Sequence, residues 1–320
     1  MIFDSLPRPF FVLAPMDDVT DTVFRQVVGK CAPPDLYFTE FVNVDGLQSP
    51  GREKLLPKLR FSEHERPIIA QLWGKVPANF EKTAREVAEM GFDGIDLNFG
   101  CPEKTVIKNG CCIALVDNRG LAGEIIEATR RGAGSLPLSI KTRLGLKTVD
   151  YSWHEFLLQF KLNALTIHGR TAKQMSKVPA DWNAISHIAG LRTSLSPATK
   201  IIGNGDVMNR HHGEELAAKH KLDGIMIGRG LLDDPFAFVD TSPWSTWTKE
   251  QKIALYRKHV QLFAATWRHN ERKIYTLNKF CKIYVSGFDG AKELREQLMR
   301  ANSAEQLLQL LDTADSPVAV

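Results

Sequence analysis

The segment IIAQLWGKVPANFEKTAREVAEMGFDGIDLNFG (68–100) contains one complete β–α–β unit. It begins with the apolar run IIAQLWG (68–74) and ends with the apolar run GIDLNFG (94–100), and both have the composition of a buried strand. Between them, apolar residues recur at helical spacing at Phe80, Ala84, Val87 and Ala88. Gly91 follows as a typical helix stop. The segment therefore predicts two neighbouring parallel strands joined by a helix.

Six further runs share this form, an apolar stretch that ends in a glycine or a polar residue. They are FFVLAPM (10–16), LYFTEFV (36–42), LSIKTRLG (138–145), ALTIHGR (164–170), KIIGNGD (200–206) and GIMIGRG (224–230). The starts of the eight runs are 24 to 44 residues apart, about the length of one βα unit. Eight such units predict an α/β fold, the (β/α)8 TIM barrel. A doubly wound sheet is the alternative, but no G-x-G-x-x-G motif follows the first run, which disfavours it.

The sequence pattern changes after residue 241. SPWSTWTKE (242–250) is typical of a linker that leads into a helix capped by Thr248. From there to about residue 312 the chain shows amphipathic helical segments and no strand signal. We therefore predict two domains, a catalytic barrel over 1–241 and a C-terminal, all-α helical bundle over 242–320.

The composition is that of an ordinary globular protein, with 43% hydrophobic and 24% charged residues among 320. This composition excludes a disordered or collagen-like chain, and the apolar stretches are too short to span a bilayer. The N-terminus, MIFDSLPRPF, is unlike a secretory signal, so we expect a cytoplasmic protein. The five cysteines are odd in number and are expected to be thiols.

Positive charge is concentrated near the C-terminus. Residues 249–300 contain 12 Lys and Arg against 5 Asp and Glu, whereas residues 1–248 contain 29 of each class. This asymmetry indicates a polyanionic partner such as nucleic acid. A basic face that is merely solvated is the alternative interpretation.

Chemically functional side chains follow each of the eight runs. In a TIM barrel these strand ends meet at one face, where ligands bind. They are Met16 and Asp17, Glu40, Gln71, Asn98 and Cys101, Lys141 and Arg143, His168 and Arg170, Asn204 to Asp206, and Gly228 and Arg229. Any one of them could be a satisfied polar group of the core, but all eight sets together favour a ligand site.

The last two runs predict a phosphate site. Their glycines place backbone N–H groups where barrels of this type bind phosphate, and Arg229 would be a charged clamp. Lys141 and His168 could bind the polar edge of a ring, with Gln71 and the backbone near Met16 completing the site. These features predict a ligand with a phosphate and a planar polar head. Flavin mononucleotide (FMN) fits this description better than a phosphorylated sugar or pyridoxal. We predict no metal site.

Cys101 lies on a loop that Gly100 and Pro102 make rigid, just past the fourth run. A thiol at this face can give a proton to a reacting carbon, so we predict a catalytic role for it. A buried structural thiol is the alternative for any cysteine, and it is the interpretation we prefer for the other four.

The ordered motifs of the eight runs resemble those of the tRNA-dihydrouridine synthase family. They are APMDDVTD (14–21), TEF (39–41), QLWG (71–74), DLNFGCP (96–102), SIKTRLG (139–145), IHGRT (167–171), GNGDV (203–207) and MIGRG (226–230). The resemblance covers the whole barrel. In addition, KFCKIYVSGFDGAKELREQL (279–298) is similar to the RNA-binding bundle of that family.

The resemblance implies an enzyme that uses FMN and NADPH to reduce the 5,6 double bond of uridine in tRNA. It implies that Cys101 protonates carbon 5 while reduced flavin supplies hydride to carbon 6. Asn98 would hold the uracil edge or the loop, and Arg170 would also contact substrate. The positions that match the family's FMN site are Pro15, Met16, Gln71, Lys141, His168, Asn204, Gly205, Asp206, Gly228 and Arg229. The chain departs from the family at Cys111 and Cys112, where a Gly-Gly or Gly-Ala pair is usual.

A helical wheel of the C-terminal region predicts one basic face and one apolar face. Arg268, Arg272, Tyr275, Lys279 and Lys282 fall in a sector about 80° wide, opposite Ile274, Leu277, Cys281, Tyr284 and Val285. Arg295 extends the positive charge. Four cations with an aromatic residue and no acid on that face predict contacts with tRNA phosphates rather than a solvated helix.

Two other functions compete with this prediction. An FMN barrel that acts on a free small molecule, as dihydroorotate dehydrogenases and old-yellow-type reductases do, would not need the basic bundle. An RNA-binding protein without catalysis would not need the polar strand ends. We expect a monomer whose partner is tRNA, with neither DNA nor membrane as a partner.

Overall fold

In the computed structural model, which describes residues 2–315, eight parallel strands form one curved sheet. They are β1 (Phe10–Leu13), β2 (Tyr37–Asn43), β3 (Ile68–Trp73), β4 (Gly94–Phe99), β5 (Leu138–Arg143), β6 (Ala164–His168), β7 (Lys200–Asn204) and β8 (Gly224–Ile227). Seven of these strands lie within a predicted run, and β2 extends one residue beyond its run, to Asn43, so the predicted strands and the α/β barrel class are confirmed.

The strand order closes the sheet on itself. Each strand pairs with the next in the chain from β2 to β8, and β8 pairs with β1. Between β1 and β2, the N–H of Leu13 donates to Leu36 O over 3.1 Å and the N–H of Asp35 donates to Phe11 O over 2.9 Å. All eight strands therefore end at one face of a barrel, as the sequence predicts.

Helices surround the sheet and connect its strands. They are α1 (Ile2–Ser5), α2 (Thr22–Cys31), α3 (Val44–Leu47), α4 (Pro77–Glu89), α5 (Lys104–Lys108), α6 (Arg119–Ala133), α7 (Tyr151–Leu158), α8 (Trp182–Leu195), α9 (Arg210–His220) and α10 (Gly230–Asp233). Helix α4 is the one predicted from the opening segment. It starts with Pro77 in its first turn, and Gly91 beyond its end has a φ of +79°, a conformation that favours glycine. Among residues 2–315, no helix has the length and apolarity needed to cross a membrane.

The barrel interior is filled by side chains and is not a channel. Phe10, Val12, Phe38, Ile69 and Met226 belong to one buried apolar cluster at the strands, with Phe3 of α1 packed against it. Burying each such side chain contributes about 1.5–3 kcal/mol. A ligand can therefore enter only at the open end, beyond the carboxyl ends of the strands.

After residue 247, every regular element that the structure describes is a helix. These are α11 (Lys249–Thr266), α12 (Tyr275–Asn278), α13 (Cys281–Tyr284), α14 (Ala291–Arg300) and α15 (Ala304–Asp315). Thr248 caps α11, as predicted, and forms a capping box with Gln251. The domain boundary between residues 241 and 242 stays a prediction, and residues 316–320 of the predicted second domain lie outside the described part of the chain.

The prediction of one continuous helical period from Arg268 to Val285 is wrong. Helix α11 ends at Thr266, and the chain then passes through Asn270 with a φ of +59° before α12 and α13 form single turns. Four of the five apolar residues of the wheel are buried and Ile274 is partly buried, but the basic half is divided. Tyr275 is 64% exposed, and Arg268, Lys279 and Lys282 are also exposed, whereas Arg272 is only 8% exposed.

Arg272 connects the bundle to the barrel. Its guanidinium donates to the buried carboxylate of Glu40 in β2 and lies 3.4 Å from Asp18 Oδ1, and Lys279 donates to the backbone oxygen of Asp18. Burial lowers the pKa of Arg272, but the charges of Glu40, Asp21 and Asp18 outweigh it and leave that pKa raised. Burial raises the pKa of the Glu40 carboxyl, and the charges of Arg272 and Lys58 oppose that rise. The prediction that Arg272 lies on an exposed phosphate-binding face is wrong.

Two further contacts fix this interface. Trp267 Nε1 donates to Asp21 Oδ2 over 3.1 Å, while the other carboxylate oxygen of Asp21 caps α2. The rings of Phe24 and Phe280 stack with centroids 5.1 Å apart. The bundle thus packs directly on the loop after β1, beside the open end of the barrel.

Arg272→Leu should lower the free energy of unfolding by about 3–5 kcal/mol, because the buried Glu40 would lose its hydrogen-bonded guanidinium and keep only the Lys58 ammonium, 4.0 Å away, as a charged partner. The double variant Glu40→Leu/Arg272→Leu should cost less than the sum of the two single substitutions. Denaturation followed by circular dichroism measures these values. The exposed Arg268 offers a matched control, since Arg268→Leu should change stability by about 0.5 kcal/mol or less. Equal losses at the two arginines would refute the importance of the buried pair.

Candidate active site

A cavity of about 660 Å³ opens at the carboxyl ends of β1, β5, β6, β7 and β8. Its volume is in the range of cofactor sites. Nine of the ten predicted cofactor residues line it: Pro15, Met16, Lys141, His168, Asn204, Gly205, Asp206, Gly228 and Arg229. The barrel thus brings together residues that are separated by more than 200 positions in the sequence.

The loop after β7 forms one end of this cavity. Gly205 has a φ of +129°, and a Cβ there would lie 2.7 Å from Ala180 Cβ and 3.2 Å from His168 Cδ2. Only glycine fits this position. Arg229 reaches across from β8 and donates to Asp206 Oδ1 over 2.9 Å, with more than half of its side chain exposed. Backbone and guanidinium together form a region suited to an anionic group.

Asp206 is an ionised carboxylate in this region. It accepts hydrogen bonds from Arg170 and, over 2.9 Å, from the N–H of Ala180. Burial raises the pKa of Asp206, but these hydrogen bonds and the charges of Arg170 and Arg229 outweigh burial and lower it. Asp206 therefore orients both arginines.

His168 is neutral. Burial, followed by the charges of Lys141, Arg143, Arg170 and Arg229, lowers its pKa far below the ordinary range. Arg170 Nη1 donates to His168 Nε2 over 3.1 Å. Because Nε2 accepts this bond, the ring proton lies on Nδ1, which is left as the donor available to a ligand.

Lys141 stands at the end of β5 on the cavity wall. Burial and the charge of Arg143 lower its pKa to about 8. Below it, the Asp96 carboxyl is buried, and burial raises the pKa of Asp96 to about 7 although Ser139 and Gln71 donate to it over 2.6 and 2.7 Å. Lys141 is therefore a donor that can bind the polar atoms of a ligand ring.

Gln71 is the one predicted cofactor residue that does not line the cavity, and the predicted substrate residues Asn98 and Arg170 and the predicted catalytic Cys101 do not line it either. Gln71 is 0% exposed, and its amide is used by Asp96 and by Asn98, whose Nδ2 donates to Gln71 Oε1 over 3.1 Å. Arg170 is 2% exposed, and besides Asp206 and His168 it donates to Val178 O over 2.5 Å. The structure therefore does not show the predicted direct contact of Gln71 with the cofactor or of Arg170 with the substrate. Both residues orient side chains that do line the cavity or hold its loops.

Asn98 holds the loop that carries Cys101. Its Oδ1 accepts from the N–H of Gly100 over 3.1 Å and from the N–H of Cys101 over 3.0 Å. Arg143 Nε donates to Gly100 O over 3.0 Å from the next strand. Of the two roles predicted for Asn98, the structure supports the one in holding the loop. The backbone around Cys101 is thereby fixed relative to β4 and β5.

Cys101 is a half-buried thiol whose pKa is lowered to about 7. The largest cause is a hydrogen bond from the Cys112 thiol, and the backbone of Glu103 and the charge of Arg143 act in the same direction against burial. Cys111 and Cys112 are buried, and burial raises the pKa of each. Of these three thiols, Cys101 is the one whose pKa suits proton transfer near neutral pH.

Arg143, Ser176 and Asp233 also line the cavity, and no role was predicted for them from the sequence. Arg143 ends a predicted strand and could have been found from that position. Ser176 lies on a long loop without a motif, so no signal pointed to it. Near the open end, Asp17, Asp18 and Glu40 lie close enough to hold a cation, but Lys58 and Arg272 already pair with them.

A basic groove of about 650 Å³ lies on the bundle between α13 and α14. The cations that line it are Lys279, Lys282, Lys292, Arg295 and Arg300, with Glu296 as the acid. Arg295 is partly engaged, since its Nη1 donates to Val285 O over 2.7 Å. Lys282, Lys292 and Arg300 are exposed. This basic groove can bind a polyanion.

The chain is similar to known proteins over nearly its whole length. The family model for dihydrouridine synthase (Dus) matches residues 12–318. A probable tRNA-dihydrouridine synthase of Staphylococcus aureus (strain COL) is 45% identical over 97% of this chain and 94% of its own length. A probable tRNA-dihydrouridine synthase 2 of Bacillus subtilis (strain 168) is 44% identical over 96% and 94%, respectively.

Solved structures share the fold. Morphinone reductase aligns with a TM-score of 0.52 at 12% identity, covering 74% of this chain and 86% of its own. An old yellow enzyme homologue from Zymomonas mobilis aligns with a TM-score of 0.50 at 14% identity, covering 73% and 90%. The Dus family consists of flavin-dependent oxidoreductases, which confirms the predicted enzyme class. From its match across residues 12–318 and from its relatives at 44–45% identity, the chain belongs to the dihydrouridine synthase family.

Proposed function

We propose that this protein is a tRNA-dihydrouridine synthase that reduces the 5,6 double bond of uridines in tRNA. FMN would be its cofactor and NADPH its reductant, and it would act in the cytoplasm as a monomer. The observation that carries the proposal is a half-buried thiol, Cys101, with a pKa of about 7 at the barrel face that holds the cationic cavity. The names of the relatives at 44–45% identity support the same reaction.

The cavity suits FMN. Gly205 and Gly228 line it without side chains, and Arg229 offers a guanidinium for the phosphate. Lys141 and the Nδ1–H of His168 are donors for the polar edge of an isoalloxazine ring. When bound, a reduced flavin supplies hydride.

The reduction requires a proton in addition to the hydride, and Cys101 would hold this proton on its Sγ. A group is an effective acid when its pKa lies near the working pH, and the thiol meets this condition. Asn98 and Arg143 fix the loop, so that the thiol is presented at a constant position. Arg143 also stabilises the thiolate that remains after the proton has left.

The bundle would bind the tRNA around this site. The basic groove presents the exposed cations Lys282, Lys292 and Arg300 for phosphates, and the exposed ring of Tyr275 can stack on a base. The ion pair of Arg272 with Glu40 fixes the bundle on the barrel. An FMN enzyme for a free small molecule does not explain the basic groove, so we favour the RNA substrate.

Lys141→Ala should weaken FMN binding by about tenfold or more, because a hydrogen bond from a charged donor contributes about 1.5–3 kcal/mol. Fluorescence titration of flavin-free protein with FMN measures the dissociation constant. Lys147→Ala is the matched control, since Lys147 is exposed and lies six residues further along the chain. If the two variants bind FMN equally well, the assignment of Lys141 fails.

Cys101→Ala should lower turnover on tRNA by about 10²–10⁴, the usual contribution of a general acid. Reduction of bound flavin by NADPH should continue, because it does not need this proton. Cys111→Ala should keep wild-type turnover. In the wild type, the rate of tRNA reduction should fall as the pH rises above about 7, since only the protonated thiol is an acid. Stopped-flow measurement of each half-reaction provides these rates, and normal turnover in Cys101→Ala would show that another group donates.

Replacing Lys282, Lys292 and Arg300 by Ala should weaken tRNA binding broadly and leave FMN content unchanged. Each lost phosphate contact should flatten the plot of log affinity against log salt by about 0.7–0.9 units. Affinity is measured at several salt concentrations. Lys30, Lys82 and Lys219 are exposed on outer helices of the barrel, and their triple Ala variant is the control for total charge. The same loss in both triple variants would mean that the basic groove has no special role.

A further inference from the structure

Cys112 has an unusual backbone conformation. Its φ is +55°, in the left-handed region that side chains other than glycine, asparagine and aspartate seldom adopt. The residue opens the 3-10 helix Cys112–Asp117 and is 1% exposed. Such conformations persist where the surroundings hold them, frequently beside reacting groups. A glycine would avoid this strain, so the presence of a thiol here calls for an explanation.

The Cys112 side chain meets Cys101. Cys112, Cys111 and Val106 form a small buried apolar cluster, and Cys101 and Trp73 pack against it. Cys101 thus lies against the cluster that contains Cys112, and the Cys112 thiol is the largest cause of the lowered pKa of Cys101. Cys111 points to a different partner, because its Sγ lies 3.8 Å from Asn109 O. Only one of the two adjacent thiols therefore serves Cys101.

The other polar and charged groups around Cys101 are Arg143, Lys141 and Asp17, together with the backbone at Glu103. Arg143 and Lys141 favour the thiolate, and Asp17 opposes it. Arg143 uses its Nε and Nη1 on the backbone oxygens of Gly100, Thr171 and Met175. It therefore acts on the sulfur through charge, whereas Cys112 is a thiol in the cluster against which Cys101 packs.

A hydrogen bond between the two thiols would have a defined direction. Burial raises the pKa of Cys112 well above 9, and Cys101 raises it further, so Cys112 stays protonated while Cys101 titrates. Cys112 is thus always the donor, and the ionised Cys101 is the acceptor. An S–H donor is weak in water, but it gains strength in an apolar cluster.

We propose that Cys112 is a positioning residue whose thiol donates a hydrogen bond to the Cys101 sulfur, holding it at the barrel face and stabilising the thiolate left after proton donation. The proposal rests on the proposed function, in which Cys101 is the acid. It explains why a strained cysteine occupies this position.

Three substitutions of Cys112 separate the effect of its thiol from the effect of its backbone conformation. Cys112→Gly removes the thiol at a φ that glycine adopts without strain, so the variant has no reason to misfold through its backbone. Cys112→Ala removes the thiol and keeps a Cβ. Cys112→Ser keeps a donor at the same position and should rescue the effect. Cys111→Ala is the matched control, a neighbouring thiol without the contact.

The measurement is alkylation of Cys101 by iodoacetamide as a function of pH in the purified, flavin-loaded protein. Trypsin cleavage after Arg85 and Lys104 places Cys101 on peptide 86–104, which contains no other cysteine. Mass spectrometry of this peptide therefore follows Cys101 alone. The readout needs no tRNA and no turnover.

In the wild type the alkylation rate should reach half its maximum near pH 7. In Cys112→Gly and Cys112→Ala this midpoint should move towards 9, the ordinary value of a thiol, and Cys112→Ser and Cys111→Ala should stay near the wild type. A rise of one unit alone reduces the thiolate fraction at pH 7 from about one half to about one tenth. The rate of tRNA reduction at alkaline pH should fall less steeply in the two variants without a donor.

Unchanged midpoints in both Cys112→Gly and Cys112→Ala would overturn the proposal, as would an equal shift in Cys111→Ala, which would indicate a general disturbance of the loop. Failure of the proposed function gives a different result. In that case Cys101→Ala keeps its turnover on tRNA, while the alkylation midpoints still report whether Cys112 acts on Cys101.

Discussion

Closure of the barrel between β1 and β2 is the constraint on which the other features depend. Two backbone hydrogen bonds join the first unit to the second, from the N–H of Leu13 to Leu36 O and from the N–H of Asp35 to Phe11 O. Asp35 and Leu36 lie just before β2, which starts at Tyr37. Closure brings the loop after β1 beside β8 on one side and β2 on the other. The same loop then contributes to the cavity through Met16 and to the bundle interface through Asp18.

Sequence reasoning predicts the elements and most of the cavity because both depend on local or periodic signals. Each apolar run ends in a polar residue, and in a parallel barrel the ends of all the strands lie at one face. Lys141, His168 and Arg229 follow from this rule alone. The rule does not state how deep a side chain lies, so Gln71 and Arg170 satisfy it and are nevertheless turned towards their neighbours.

The helical-wheel prediction of an exposed basic face was partly wrong for a related reason. It treats every cation on one side as exposed, but a cation can be drawn inward by a buried acid that is distant in sequence. Glu40 and Arg272 are 232 residues apart, and no local pattern connects them. The polar segment after Trp267 breaks the helix, and the break lets Arg272 turn to the barrel while Lys282 remains outside.

Electrostatics links the cavity to the chemistry of the thiol. Lys141, Arg143, Arg170 and Arg229 lower the pKa of His168 together, and Asp206 is the acid that orients two of them. This excess of positive charge suits an anionic phosphate at one end. At the other end, Arg143 and Lys141 lie close enough to stabilise a thiolate at Cys101. A neutral imidazole can remain in such surroundings because it donates without adding charge. The same cations can therefore hold an anionic cofactor and make Cys101 a stronger acid, and a directed thiol donor at Cys112 adds to a field that already favours proton release.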